Sequence, residues 1–285
     1  MLDRAAPFVF VLLWSSSFIA ARVGLRQITP LLFVATRMVF AAAVMVSMML
    51  MLRRSWRALE GRWLHCAVAG VLINSAVLMP AHVAMVHTGA APIALVQTLN
   101  PLLTALFAWP LLGERLRPLQ WFGLLLGAAG VVLIVGLAAA RSSLELNGLL
   151  LTAAGVVGLC SGTLYFGKFC RGVPIVEGAT VQLVAAAVAC VAATAVFEAP
   201  HADWTPGAVA AVLWNAAAVS LGGMGLYYLM LVRGTAARAT ANFYLVPGTA
   251  GLLAWALLGE TLSPLTLVGL AVSSIGCWMV SRRGR

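Results

Sequence analysis

The feature that most constrains this chain is a stretch that occurs twice, 146 residues apart and with no gap. Asn100-Pro101, Ala108-Trp109 and Leu111-Leu112-Gly113-Glu114-Arg115-Leu116-Arg117-Pro118 pair with Val246-Pro247, Ala254-Trp255 and Leu257-Leu258-Gly259-Glu260-Thr261-Leu262-Ser263-Pro264. Ser15 and Arg22 match Ser161 and Lys168 at the same offset. A period of half the chain length means two related units, predicted at residues 1–140 and 141–285.

Composition decides where those units fold. The chain is 62% hydrophobic and 9% charged, whereas a soluble domain carries about a quarter charged residues. It cannot cover a water-facing surface and belongs in a lipid bilayer. The net charge of +10 sits in short clusters between apolar spans, which is a membrane-topology signal and not a nucleic-acid footprint. Five cysteines lie in or beside apolar segments without C-x-x-C spacing, so no disulfide framework, metal site or cofactor is expected. The first apolar run is longer than a signal-peptide core and reads as a retained helix.

A spanning helix needs about 20 apolar residues. Ten candidates follow, near 6–25, 31–52, 64–87, 91–112, 119–139, 147–169, 175–197, 207–231, 237–258 and 263–281. The predicted fold class is therefore an all-α integral membrane protein of ten helices. With a cytoplasmic N-terminus, 14 basic residues fall inside and Arg22, Arg26 and Arg141 outside, with Arg37 within a span. The positive-inside rule then places both termini in the cytoplasm. Five helices per unit is an odd number, so the second unit enters upside down. Inverted repeats with a mid-depth site between them are the architecture of secondary transporters.

A polar group left bare in hydrocarbon costs several kcal/mol, so polar residues at mid-depth mark candidate sites. Trp14 and Ser15 centre span one, Asn74 and Ser75 span three, Gln97 and Asn100 span four, Ser161 span six and Tyr244 span nine. Leu78 and His82 follow on span three, and Tyr165 on span six. Gln97, Asn100 and Thr104 form one stripe, as do Ser161, Tyr165 and Lys168. Pro101 and Pro247 deprive the carbonyls of Gln97 and Phe243 of their helical donors, making them candidate hinges. Asn242 and Tyr244 do not share a face, so at most one points at a cavity unless the helix breaks there.

Simpler roles compete with these. Ser and Thr in spanning helices commonly bond back to their own backbone. Gly123, Gly127 and Gly130 suit close helix packing, and Glu114 and Glu260 suit helix capping at the span ends. Arg37 is placed either to snorkel outward or to meet a substrate carboxylate.

The doubled five-helix unit, the P…LLGE.L.P endings, Trp14-Ser15-Ser16-Ser17-Phe18 and Pro30…Arg37 resemble the EamA family of the drug/metabolite transporter superfamily. Size and polar layout resemble most the YddG-type bacterial amino-acid exporters. The resemblance implies a multi-pass carrier in a bacterial inner membrane, exporting amino acids, aromatic ones included, and related metabolites by alternating access. Its partners are then the small-molecule substrate and the bilayer, with no nucleic acid. The sequence is compatible with a monomer and fixes no oligomeric state.

No carboxylate lies deep in a span, which favours uniport over proton coupling. The alternative, a proton-coupled exporter of lipophilic cations, calls for an acid in span one, where Trp14 and three serines stand instead. Catalysis is not expected. Leu159-Cys160-Ser161-Gly162 lacks the leading glycine of an intramembrane serine protease, and there is no H-E-x-x-H or P-loop.

Overall fold

A computed structural model describes residues 2–88, 93, 96–141, 146–259 and 261–282. The described residues are helical apart from short connections and one isolated bridge, Ile28 to Ala202. We label the helical runs α1 (Leu2–Gly24), α2 (Pro30–Met51), α3 (63–88), α4 (Leu99–Leu112) and α5 (Pro118–Arg141). The others are α6 (Leu146–Cys170), α7 (Ile175–Phe197), α8 (Pro206–Arg233), α9 (236–258) and α10 (Pro264–Ser281). Among the described residues, eight of these runs are long and apolar enough to cross a membrane, and α4 is a shorter apolar helix. The protein is an all-helical, multi-pass membrane bundle.

The repeated corner explains how helices end and restart. Gly113 and Gly259 terminate α4 and α9 in the left-handed region, at φ 71° and 67°, which favours glycine because it has no Cβ. Pro118 and Pro264 then open α5 and α10, where a missing N–H costs nothing. Glu114, beside the first corner, accepts the Ala236 N–H at 2.9 Å, at the start of α9, and pairs with Arg171 at 2.7 Å. Glu260 lies outside the described residues.

At the other end of the bundle Glu198 accepts the Leu31 and Leu32 N–H groups at 2.9 and 2.8 Å, capping α2. These contacts sort the helix ends into two faces. A termini face gathers Arg54, Glu114, Lys168, Arg171, Arg238 and Arg282; the opposite face gathers Arg22, Arg26, Glu198 and Asp203.

Packing obeys the 146-residue offset. Helix α2 lies along α7 and α5 along α10, each paired with its own counterpart. The α3–α6 contact is matched by α8–α1, and α4–α6 by α9–α1. The α5–α10 pair runs antiparallel: Gly123 meets Gly276 while Gly130 meets Gly269. Ser273 Oγ, at the position matching Gly127, donates to the Gly127 carbonyl at 3.2 Å. Small residues let these backbones touch, which is how helices associate where apolar burial from water supplies no drive.

Several helices are irregular, and two of the breaks match by the same offset, whereas the π turn at Phe166–Cys170 in α6 has no counterpart in the regular α1. π-Helical turns occupy Val71–Ser75 in α3 and Asn215–Gly223 in α8. Helix α9 tightens to a 3-10 turn at Asn242–Leu245, and a turn at Thr98 precedes α4 at the corresponding depth. Such departures from α geometry concentrate at functional sites. Arg37 is fully buried and its Nε donates to Ser220 Oγ of α8 at 3.1 Å, so it holds α2 to α8 and does not snorkel outward.

Candidate functional site

A cavity of about 240 Å³ lies between α1, α4, α5, α9 and α10 in the half toward the opposite face. Phe18, Ile19 and Arg22 of α1 face Val246, Pro247, Ala250 and Ala254 of α9 across it, with Gln97 and Thr98 from just ahead of α4. A smaller chamber of about 20 Å³ adjoins at mid-depth, lined by Trp14, Val77, Ala81, Asn100, Thr152 and Leu159 among others. Gln97 and Phe243 line both. These two residues are 146 apart, so the two halves contribute the same position to one site.

Toward the termini face the site is closed by four aromatic rings. Phe243 meets Trp14 edge-on at 5.2 Å and Phe10 edge-on at 5.3 Å between centroids. Phe10 stacks on Tyr227 at 5.7 Å, and the Tyr227 hydroxyl is tied to Thr163 Oγ1 at 2.7 Å. Edge-to-face packing of this kind adds about 0.5–1.5 kcal/mol per pair beyond simple contact. The floor is apolar and built from α1, α8 and α9.

The polar content of the site is sparse. Asn100 is 2% exposed; its Oδ1 accepts a long 3.4 Å bond from Thr104, and its Nδ2 has no partner among the described residues. A buried amide left without a partner costs about 1–3 kcal/mol, and a bound group with an acceptor would recover it. Ser15 Oγ donates to the Val246 carbonyl at 3.2 Å, tying α1 to the broken segment of α9. The Phe243 carbonyl, deprived of its helical donor by Pro247, accepts the Val246 N–H within the 3-10 turn.

The structure therefore brings together only part of the mid-depth polar set. Trp14 and Asn100 line the small mid-depth chamber, Gln97 lines both it and the larger cavity, and Ser15 ties α1 to α9 beside them. Asn74 is turned into the α3–α8 seam, where its Nδ2 donates to Tyr228 OH at 3.0 Å. Ser75 donates to the Ala186 carbonyl of α7 at 3.1 Å. His82 bonds the Leu78 carbonyl at 2.7 Å through Nδ1 and stacks on Phe33 of α2, and Leu78 itself packs in the core. The π turn in α3 accounts for this: its wider winding rotates the following side chains off the face that regular 3.6-residue spacing implies.

Tyr244 is fully buried with its ring against Gly127 of α5. The tighter 3-10 winding carries Phe243 to the cavity in its place. Asn242 faces the termini side, donating to the Arg238 and Ala239 carbonyls at 3.1 Å.

Ser161 and Tyr165 line a different feature, a groove of about 540 Å³ between α4 and α6 in the half toward the termini face. Lys168 and Phe169 complete it, and Tyr165 OH bonds His65 Nδ1 at 2.8 Å. Here α4 and α6 pack against each other through a buried cluster of Ala108, Cys160 and Leu164. Ala254, Trp14 and Phe18 occupy the same positions in the other half, and two of them, Ala254 and Phe18, line the larger cavity. The equivalent positions thus border a cavity in one half and a groove in the other.

Spacing within single helices does not mark Phe10, Tyr227, Phe243 or Arg22 as site residues. Phe10 and Trp14 are four apart on α1, and Phe243 is the positional equivalent of Gln97; those two signals were present.

A polytopic helix bundle with a cavity between two like halves defines a membrane transporter. The EamA-like transporter family model matches residues 6–136 and again 146–282, and the chain belongs to that family. It is similar to the uncharacterized inner membrane transporter YedA of Escherichia coli K12, at 27% identity over 94% of this chain and 86% of the relative. The uncharacterized transporter YvbV of Bacillus subtilis strain 168 is 22% identical over 96% and 90% of the two chains. A crystal structure described only as that of a protein shares the fold, with TM-score 0.79, 24% identity and coverage of 97% and 95%. Family and relatives point to a transporter and not to an enzyme.

Proposed function

We propose that this transporter is a secondary carrier of the bacterial inner membrane. It exports amino acids, aromatic ones included, and related small metabolites by alternating access, as a uniporter. In this reading all ten helical runs cross the bilayer as two inverted five-helix repeats, divided near residue 140. The antiparallel, offset-matched contact of α5 with α10 supports the inversion. The concentration of arginine and lysine on the termini face supports cytoplasmic termini.

The observation that carries the substrate assignment is the pairing of the buried Asn100 Nδ2, without a partner among the described residues, with an aromatic floor in the small mid-depth chamber that adjoins the larger cavity through Gln97 and Phe243. Asn100 and Gln97 would donate to the carboxylate of the zwitterion, and Trp14 and Phe243 would meet its side chain. Ser161 and Tyr165 take the corresponding part when the α4–α6 seam opens. Asn74, Ser75, Leu78, His82 and Tyr244 keep the surrounding helices in register. Pro101 and Pro247 serve as hinges beside the broken segments.

A lipophilic-cation exporter is the less favoured reading, because the described lining residues include no acid and do include Arg22.

Purified protein in liposomes preloaded with unlabelled amino acid is expected to accumulate the labelled form by counterflow. Asn100→Ala is expected to lower kcat/KM about tenfold, since a hydrogen bond to a charged group contributes about 1.5–3 kcal/mol. Absence of counterflow for every amino acid tested contradicts the assignment. An imposed pH gradient is expected to leave the wild-type rate unchanged; a steep dependence abolished in His82→Ala contradicts uniport.

A further inference from the structure

A further cavity, of about 290 Å³, lies at the termini face and shares no lining residue with the candidate site. Pro7 of α1, Met230 and Arg233 of α8, Arg238 and Asn242 of α9, and Ser281 of α10 line it. Helix α8 ends and α9 begins across Gly234-Thr235. Arg233 on the last turn of α8 and Arg238 on the first turn of α9 therefore share one wall.

The charge in this cavity is of one sign. Its described lining residues include two arginines and no acid. Glu114, at the start of α9, is committed to Arg171 and to the Ala236 N–H, at 2.7 and 2.9 Å. Most of the donors are committed too. Asn242 Nδ2 donates to the Arg238 and Ala239 carbonyls at 3.1 Å, and Arg238 Nη2 donates to the Arg282 carbonyl at 3.2 Å. Arg233 has an interaction of its own within the chain. Arg238 Nε differs: it is buried, with no partner among the described residues. A charged donor buried without an acceptor costs more than a neutral one.

The depth is that of membrane head groups. The guanidinium of Arg282 lies 4.6 Å from the ring centroid of the exposed Trp278, close to the end of α10. Exposed tryptophan and arginine at a span end mark the boundary between hydrocarbon and water. Basic pockets between spanning helices at that level suit phosphorylated head groups.

We propose that this cavity binds a phosphate-bearing anion, in the first place the head group of an acidic phospholipid. A phosphate oxygen accepts from Arg238 Nε and supplies the missing acceptor, and the Arg233 charge adds attraction from the same wall. Pro7 and Met230 give the glycerol an apolar surface. The bound group braces the ends of α8, α9 and α10 against α1. Basic residues at a span end are ordinary by themselves. The cavity together with the orphaned Nε carries the proposal, and it stands whatever the transported molecule is.

The full chain, purified in mild detergent and stripped of lipid, is followed by its melting temperature as ligand is added. Phosphatidylglycerol in mixed micelles is expected to raise it by about 5 °C or more, and the net-neutral phosphatidylcholine by less than about 1 °C. Arg238→Gln is expected to lose most of the phosphatidylglycerol shift. Arg115→Gln, at an exposed arginine of the same face outside the cavity, is expected to keep it. Arg233→Gln, at an exposed position, is expected to lose part of the shift, and takes over the test should Arg238→Gln not be recovered. Glycerol 3-phosphate is the soluble arm. A shift from it with none from phosphatidylglycerol assigns the site to a free phosphate ester. Equal shifts from the two lipids, no shift from any phosphate compound, or a full shift in both glutamine variants of the cavity overturns the proposal. Transport is not read, so failure here leaves the carrier reading standing.

Discussion

Replacing Gly276 by valine is expected to lower the melting temperature in mild detergent by roughly 10 °C or to abolish recovery of monodisperse protein. A Cβ at this position would stand 2.5 Å from both the Gly123 carbonyl oxygen and the Gly127 nitrogen, and 2.8 Å from the Gly127 Cα. All three neighbours are backbone, so no rotamer change relieves the clash and the helix axes must part. Overpacking costs about 1–3 kcal/mol and occasionally more, and about 1 kcal/mol moves a chain of this size by roughly 2–4 °C. The α5–α10 seam is especially sensitive because both helices approach through glycine, and the bond from Ser273 to Gly127 sits at its centre. Gly225→Ala is the control. Its added carbon meets nothing within 4 Å, and differential scanning fluorimetry is expected to find its melting temperature unchanged or slightly raised.

Trp14→Ala is expected to reduce counterflow of aromatic amino acids by more than about tenfold, with Trp14→Phe within about threefold of wild type. Trp14 is 7% exposed, and it holds Phe243 and Phe10 at 5.2 and 5.6 Å in the floor of the cavity. Truncation removes a substrate-facing ring and leaves a void beneath the site, at a cost of about 3–5 kcal/mol for a buried tryptophan. Phenylalanine keeps an edge-to-face partner for Phe243. Initial counterflow rates, normalised to folded protein measured by size-exclusion chromatography, separate the transport defect from the stability defect. Equal rates in Trp14→Ala and wild type would remove the aromatic floor from the site.

Much of the architecture is legible in the repeat. The corner at Gly113 and Gly259 behaves as the LLGE.L.P pattern implies, and the small residues of α5 and α10 pack as their spacing implies. The candidate site is only partly legible, for a physical reason. Mid-depth polarity identifies residues that need partners, and a neighbouring helix satisfies that need as well as a substrate does. Ser75 and the Nδ2 of Asn74 find such partners in the Ala186 carbonyl and Tyr228; the Oδ1 of Asn74 and the Nδ2 of Asn100 find none among the described residues, and of these two side chains Asn100 lines the chamber. Regular spacing also fails where the backbone leaves α geometry, and α3, α8 and α9 all do so close to mid-depth. There the 3-10 turn sends Phe243, and not Tyr244, to the cavity. The aromatic floor draws on three helices remote in sequence, and no spacing within one helix announces it.

The central claim is alternating access, and a reversible lock on the α4–α6 seam tests it most directly. Ala108 and Cys160 are buried in one cluster between α4 and α6. With Cys66, Cys170, Cys190 and Cys277 replaced by alanine, Ala108→Cys is oxidised to form a disulfide with Cys160. Amino-acid counterflow is then measured before oxidation, after it, and after reduction. Alternating access predicts that the disulfide abolishes counterflow and that reduction restores it. A disulfide-locked protein that exchanges amino acid at the unlocked rate would contradict the account.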